Sequence, residues 1–319
     1  MKPDKPILTS LRERILLLDG AMGTMLRRHG LSGNPDRFNR VAPDTVAAVH
    51  RAYIEAGADI IETNTFCSNR ISQQEYGLAE EAAAFAREGA RLARAEADRA
   101  TRPVWVAGSV GPTSKSLTLS TDIADSAARA TTFEALAAVY REQIEALIEG
   151  GVDLLLIETC FDALNAKAAL QAVCRTAADF PVIVSVSPGD RAGRTLAGQT
   201  LEAFYTAVRH YPLTAFGLNC SPGAEAMIPL IERVSRFCEF PLICYPSVGL
   251  PDEQGAYGHT PQMMAAAIHT MAAAGLVNIV GACCGSTPEH IAAVKAALTG
   301  LAPRTFPAGD MQPFLTLPK

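Results

Sequence analysis

Two adjacent cysteines near the C-terminal end of the 319-residue chain are the residues best suited to chemistry. Cys283 and Cys284 follow an apolar run that predicts a buried strand, and a helix is predicted to begin just after them, with Ser286 or Thr287 as its cap. A third thiol, Cys220, ends another apolar run. If both strands point the same way in one sheet, the three sulfurs converge at its carboxyl edge.

Three convergent thiolates favour a soft divalent metal, above all zinc in a tetrahedral site. Three protein ligands leave the fourth position open, which is typical of a catalytic zinc. A buried cysteine can equally be a small apolar side chain, and a disulfide between adjacent cysteines is strained. Because adjacent ligands lack the usual spacing of two to four residues, the Cys283 and Cys284 pair by itself leaves the metal and the structural interpretations open.

The elements that must position these thiols alternate along the whole chain. Apolar runs predict eight strands, and helical patterns lie between them. Eight alternating units over ~250 residues or more predict an α/β fold, the (β/α)8 TIM barrel. The predicted strands are Ile15 to Leu18, Asp59 to Glu62, Val104 to Ser109, Asp153 to Glu158, Val182 to Val186, Ala215 to Asn219, Leu242 to Tyr245 and Val277 to Gly281.

Connections of two kinds support this prediction. Short turns containing Gly57, Gly151 or Gly275 join a helix to the next strand, and each glycine can take the left-handed conformation that ends a helix. The segments from strand to helix are long. Loops longer than ~12 residues are usually functional, and in such barrels they surround the active site at the carboxyl face. These segments are Thr24 to Asp44, Phe66 to Leu78, Gly111 to Ala130, Ser187 to Thr200 and Pro246 to Thr260.

Polar residues concentrate at the same carboxyl edge. Asp19, Glu62 and Glu158 end the first, second and fourth predicted strands, and Asn219 precedes Cys220 at the end of the sixth. A carboxylate after a strand can simply cap the next helix, which accounts well for Asp162 further along. It accounts poorly for three acids together, because charges beside buried strands are costly unless they are paired.

Composition excludes several classes of protein. Lys and Arg number 28 against 33 for Asp and Glu, a net charge of −5, so a nucleic-acid partner is disfavoured. No apolar run reaches the ~18 residues of a membrane span, and the first residues lack the apolar segment of a signal peptide. Eight cysteines without a secretion signal favour reduced thiols, and we expect a cytoplasmic enzyme with no membrane association.

The spaced motifs resemble the homocysteine S-methyltransferase family, specifically the N-terminal homocysteine-binding module of cobalamin-dependent methionine synthases. The resemblance covers nearly the whole chain and is far more specific than the paired cysteines alone. The matching motifs are Leu18-Asp19-Gly20-Ala21-Met22-Gly23-Thr24-Met25, Glu62-Thr63-Asn64-Thr65-Phe66, Ile157-Glu158-Thr159, Phe216-Gly217-Leu218-Asn219-Cys220 and Gly281-Ala282-Cys283-Cys284-Gly285.

The resemblance implies a barrel that holds Zn2+ through three cysteines, which match Cys220, Cys283 and Cys284. It implies that the amino group of homocysteine binds acidic residues matching Asp19 and Glu158, and that its carboxylate binds backbone amides near Gly20 and Thr63. Glu62 and Asn219, at the same strand ends, complete the predicted substrate site.

The resemblance also implies an activity, the transfer of a methyl group to L-homocysteine to form L-methionine. The expected donor is methylcobalamin carried by a corrinoid protein or a cobalamin-binding domain. One alternative is a related enzyme that takes the methyl group from betaine or S-methylmethionine. An alternative of another class is a phosphate-binding barrel aldolase or isomerase without metal. We expect residues 1–304 to form the barrel and residues 305–319 to be a tail or linker.

Overall fold

Eight short parallel strands surround a central core in the computed structural model, which describes residues 3, 5–221, 223–249 and 258–307. Each strand pairs in parallel with its neighbours in the order β1-β8-β7-β6-β5-β4-β3-β2. The Leu18–Ile60 bridge joins β1 to β2 and closes the ring. The predicted (β/α)8 barrel is confirmed. The strands are β1 Leu16–Leu17, β2 Ile60–Glu62, β3 Trp105–Val110, β4 Leu154–Cys160, β5 Val182–Val186, β6 Ala215–Cys220, β7 Leu242–Pro246 and β8 Ile279–Val280.

Helices cover the outside of this ring and one helix lies beneath it. None of the helices in the described part of the chain combines the length and the apolar character needed to cross a bilayer. The helices are α1 Ile7–Glu13, α2 Met22–Arg28, α3 Phe38–Val41, α4 Pro43–Ala56, α5 Arg70–Gln74, α6 Ala82–Arg99, α7 Phe133–Gly150, α8 Ala163–Thr176, α9 Leu201–Val208, α10 Ala224–Ser235, α11 Pro261–Ala273 and α12 Pro288–Ala297, with a 3₁₀ turn at Ala79–Glu81.

The predicted strands match the observed ones best in the middle of the sheet. Val182–Val186 is found as predicted, whereas β1 and β8 are two residues each, shorter than their apolar runs. Two of the predicted long loops contain short helices: α3 and most of α2 lie in the segment 24–44, and α5 lies in 66–78. Of the loop 246–260, residues 250–257 lie outside the described residues, as do residues 308–319 of the predicted tail.

The predicted glycine turns are present. Gly57 and Gly151 end α4 and α7 with φ of 111° and 95°, and Gly275 has φ of 66° just after α11. This left-handed region is open to glycine at little cost, and it turns the chain from the end of a helix directly into the next strand. These turns keep the helix-to-strand connections short. The long strand-to-helix connections lie on the opposite face of the barrel.

The barrel interior is filled by alternate residues of the strands, because successive side chains of a strand point to opposite faces. On β4, Leu154 and Leu156 belong to the inner core, and Leu155 packs in the outer core beneath the helices. Ile7 and Leu11 of α1 join the inner core. Glu158 continues the inward series of β4, so this alternation directs its carboxylate into the barrel mouth.

Candidate metal centre and substrate pocket

Three sulfur atoms converge at the carboxyl end of the barrel. Cys220 ends β6, and Cys283 and Cys284 lie in the turn after β8. Their Sγ atoms all lie within 4.8 Å of one another. Three thiols at this separation suit the soft, four-coordinate chemistry of zinc, since one tetrahedral ion can contact all three and keep one position open. The donor set therefore fits the metal that the sequence predicted.

Strand β7 holds the two thiol-bearing segments in register. It lies between β6 and β8, and just beyond it the Ser247 N–H donates to the Cys220 carbonyl oxygen over 2.7 Å. On its other side, the Cys283 N–H donates to the Pro246 carbonyl oxygen over 2.8 Å. The relative position of Cys220 and Cys283 is thus fixed by main-chain hydrogen bonds.

The turn at Cys283 is also tied to the end of β1. Ser286 Oγ donates to the Cys283 carbonyl oxygen over 2.7 Å and accepts from the Ala21 N–H over 2.9 Å. Tyr53 Oη donates to the Ala21 carbonyl oxygen over 3.2 Å. A Cβ atom at Gly20 would lie 2.5 Å from Ser286 Oγ, which explains why glycine stands there. The segment that carries Asp19 is therefore fixed against the segment that carries the thiols.

Of the two predicted cap residues, Thr287 is the one that precedes α12. Its hydroxyl contacts His290 Nδ1 at 3.0 Å and makes no cap bond to the helix. The Ser286 hydroxyl instead bonds Ala21 and Cys283 in the turn. Asp162, predicted as an ordinary cap, accepts from the Leu164 N–H over 2.9 Å at the start of α8.

Three carboxylates lie beside the thiols. Asp19 and Glu158 are buried and Glu62 is half-buried. Asp19 Oδ2 accepts from the Glu62 N–H over 3.1 Å, and Asp19 Oδ1 is buried without a hydrogen bond. Glu158 accepts from Ser109 Oγ over 2.5 Å and from Tyr245 Oη over 3.2 Å. No ion pair found among the described residues involves any of these three acids.

Burial is the main influence on these acids. It raises the pKa of Asp19 and of Glu62 well above the usual range, and the charge of Glu158 raises both pKa values further. Burial raises the pKa of Glu158 to about 7, although the hydrogen bonds from Ser109 and Tyr245 oppose the shift. A pocket that collects three acids and leaves a buried carboxylate oxygen unpartnered is suited to a cation.

The backbone amides predicted to bind a carboxylate divide into two groups. The Thr63 N–H donates to the Ala107 carbonyl oxygen over 2.9 Å, so it is engaged in the sheet. The Thr63 hydroxyl is engaged as well, with Thr65 Oγ1 at 2.6 Å. Within the described residues, the N–H groups of Gly20 and Asn64 donate to no other group. The amides available to a ligand are therefore that of Gly20, as predicted, and that of Asn64, the residue after Thr63.

Asn219 lies under the pocket and is fully buried. Its side chain bonds Thr159 and Ser185. Sequence reasoning did not identify Ser109, Ser185 and Tyr245 as partners of the site. The signal that could have found them is alternation, because each lies on the inward-facing series of its strand, as Ser109 does after Trp105 and Ala107 of the inner core.

Comparison with known proteins agrees with this geometry. The sequence model described as homocysteine S-methyltransferase matches residues 16–298. The chain belongs to the homocysteine S-methyltransferase family. The resemblance inferred from the sequence motifs is thereby confirmed, and the match spans every strand of the barrel.

Solved structures of a homocysteine S-methyltransferase homologue lead to the same family. The metallated form of the homocysteine methyltransferase MmuM from Escherichia coli is 26% identical, with a TM-score of 0.72, over 89% of this chain and 96% of that chain. Its oxidized form is 25% identical, with a TM-score of 0.76, over 92% of this chain and 99% of that chain. The two proteins therefore share their fold over most of the length of both chains.

The raised pKa of Glu158 predicts that stability without substrate depends on pH. The unfolded chain loses this proton near the usual value of 4.5 and the folded protein near about 7. Between these values only the folded state holds the proton, so this group makes the free energy of unfolding fall as pH rises through the window. Glu158→Gln removes the titration, and its free energy of unfolding relative to the parent should rise by roughly 1–3 kcal/mol from pH 5 to pH 8.

Urea unfolding at the two pH values measures this difference. The matched control is Glu55→Gln, which makes the same substitution at an exposed glutamate on α4. Parallel pH profiles for the parent and Glu158→Gln would contradict the assignment of the raised pKa.

Proposed function

We propose that this protein methylates the sulfur of L-homocysteine to form L-methionine, with zinc held by Cys220, Cys283 and Cys284. The observation that supports this best is the placement of three thiols beside three carboxylates that form no ion pair with the described residues, all at one barrel mouth. Homocysteine carries a thiol and an ammonium group a few bonds apart. The site offers a position for each, and the family match and the MmuM structures favour the same substrate.

The thiol of the substrate must be deprotonated, whereas its ammonium and carboxylate groups must be bound. A free thiol with a pKa of ~8.5 is mostly protonated at pH 7, and the thiolate is the effective nucleophile. Zinc bound to the three cysteines would supply the positive charge that stabilises the thiolate. Asp19 and Glu158 would hold the ammonium group, with Glu62 adding charge, and the N–H groups of Gly20 and Asn64 would receive the carboxylate.

Charge balance supports this arrangement. The pocket concentrates acids that resist ionisation together, as their raised pKa values indicate. A divalent cation on the thiols and an ammonium group on the carboxylates offset that negative charge. The rival idea of a phosphate-binding barrel has less support, because an anion would meet the carboxylates and because Ser286 is already engaged by Ala21 and Cys283.

Methyl transfer to a thiolate needs an electrophilic methyl group in line with the sulfur and no general base. The carbon–sulfur bond forms as the bond from carbon to the donor breaks, and the donor keeps the electron pair. Alignment of the two reactants can contribute several orders of magnitude in rate. The protein's part is to fix the sulfur at the mouth and to leave its outward side accessible to the donor.

The donor we favour is a methylated corrinoid on a partner protein or domain. Loops on the carboxyl face expose apolar side chains: Leu119 and Ile123 after β3, and Leu196 after β5. Ile123 is fully exposed. Exposed apolar groups around a site suit contact with a large partner better than enclosure of a small donor such as betaine or S-methylmethionine.

Removal of a thiol tests the metal assignment. Cys283→Ala should lose zinc and methyl transfer while the fold persists, because this turn lies on the barrel rim and outside its core. Zinc content is measured on the protein as purified. The control is Cys174→Ala, a half-buried thiol on α8, which should keep both properties. Full zinc occupancy in a Cys283→Ala, Cys284→Ala double variant would refute the ligand set.

Removal of one carboxylate charge tests the ammonium site. Asp19→Asn should weaken homocysteine binding about 10- to 100-fold, because a hydrogen bond to a charged group contributes ~1.5–3 kcal/mol. Zinc should remain bound. Calorimetric titration of the zinc-loaded protein measures the Kd, and Asp179→Asn, at an exposed position before β5, serves as the control. Unchanged affinity in Asp19→Asn would remove Asp19 from the substrate site.

The donor is tested by comparing methionine formation from free methylcobalamin with that from a methylated corrinoid protein at equal concentration. We expect faster transfer from the protein. Ile123→Asp should slow transfer from the corrinoid protein several-fold and leave transfer from the free cofactor unchanged. Equal rates with both donors for the parent would exclude recognition of a partner, and faster turnover with betaine or S-methylmethionine would identify the alternative enzyme.

A further inference from the structure

Two residues at the mouth have strained backbones. Thr159 and Cys220 have φ of 55° and 68°, and they are the non-glycine residues with positive φ in the described part of the chain. Such values are unusual for any side chain, and for a β-branched threonine they mark a true outlier. Each follows an inward polar residue: Thr159 follows Glu158, and Cys220 follows Asn219. The strain thus lies beside one predicted ammonium ligand and at one predicted metal ligand.

The side chain of Asn219 connects these two places. Asn219 Oδ1 accepts from the Thr159 N–H over 3.0 Å and from Ser185 Oγ over 2.7 Å. Asn219 Nδ2 donates to Thr159 Oγ1 over 2.8 Å. One buried amide therefore bonds both the main chain and the side chain of the strained threonine.

Thr159 is not among the residues of β4 that pair with β3 or β5. The pairing of β4 with β5 shifts register between Ile157 and Cys160, so the strand is irregular where Glu158 and Thr159 lie. A buried N–H must find a partner, and the Asn219 amide provides it from the next strand but one. The left-handed conformation of Thr159 then depends on a side chain of β6.

We infer that Asn219 is a positioning residue: its amide holds Thr159 in the left-handed conformation and so fixes the Glu158 carboxylate relative to Cys220. This role differs from the direct substrate contact that the sequence predicted. Only the expected effect on homocysteine binding rests on the proposed function. The amide oxygen already accepts two hydrogen bonds, and the residue is fully buried.

The physical reason is the direction of the Cα–Cβ bond of Glu158. When Thr159 relaxes to an extended conformation, the peptide that follows Glu158 rotates and the register of the strand end changes. The carboxylate then leaves Ser109 and Tyr245, the two hydroxyls that orient it. The three cysteines remain in place, because main-chain bonds from β7 fix them independently.

Glycine at position 159 makes the inference testable, because glycine adopts positive φ without help from a neighbour. Asn219→Ala should keep its zinc and bind homocysteine at least tenfold more weakly than the parent. Thr159→Gly should bind within about threefold of the parent, since relief of strain offsets the lost hydroxyl contact. The Asn219→Ala, Thr159→Gly double variant should recover most of the affinity lost in Asn219→Ala.

Homocysteine Kd by calorimetry and zinc content are measured on all variants. Asn278→Ala is the matched control, because it removes an equally buried amide whose hydrogen bonds lie at the amino end of the barrel, and its homocysteine Kd should stay within about threefold of the parent. A double variant that binds no better than Asn219→Ala would overturn the inference and favour direct contact. Loss of zinc in Asn219→Ala would also overturn it, since the amide would then act on the thiols.

Thermal unfolding separates this inference from the proposed function. The melting temperature can be measured without substrate. Thr159→Gly should restore part of the decrease in melting temperature that Asn219→Ala causes. If the parent itself binds no homocysteine, the proposed function fails, while this recovery still supports the role of Asn219 in holding Thr159. If the two substitutions lower the melting temperature additively in the double variant, the inference is overturned whether or not homocysteine binds.

Discussion

The constraint on which this structure depends is a group of acidic side chains gathered where water is scarce. Asp19, Glu62 and Glu158 lie with three thiols at the carboxyl end of the barrel, and no ion pair of the described residues neutralises them. Burying such groups costs free energy, which the two apolar layers around and inside the strands must offset. Positively charged groups bound at this site would offset that cost.

How far this could be predicted from sequence depends on whether a signal is local. The middle strands were predicted well because each is a mainly apolar run, as Val182–Val186 is apart from Ser185. β1 and β8 are shorter than their runs because only two residues of each pair with a neighbouring strand. The short helix α5 has no apolar stripe to reveal it, and Asn69 caps it by accepting from the Ser72 N–H.

The site shows the same division. Cysteines and acids at strand ends stand out because those residue types are rare beside buried strands, so Cys220 and Glu158 could be named in advance. Their supports could not, since Tyr245 becomes a partner of Glu158 only once the strands have a register. Thr159 has a left-handed conformation although it is not a glycine, so the sequence gives no sign of it. Its conformation is set by an amide sixty positions away in the chain.

The filled barrel interior has a kinetic consequence. Helix α1 adds Ile7 and Leu11 to the inner core at the amino end of the strands, and the Leu11 carbonyl oxygen accepts from Asn278 Nδ2 over 3.2 Å. The described residues therefore fill the interior at this end, and we expect substrates to reach the thiols through the mouth. A bulky methyl donor seated there blocks the path of the amino acid. Homocysteine would have to enter first and methionine leave last, so such an enzyme would follow a compulsory order in which excess donor inhibits turnover.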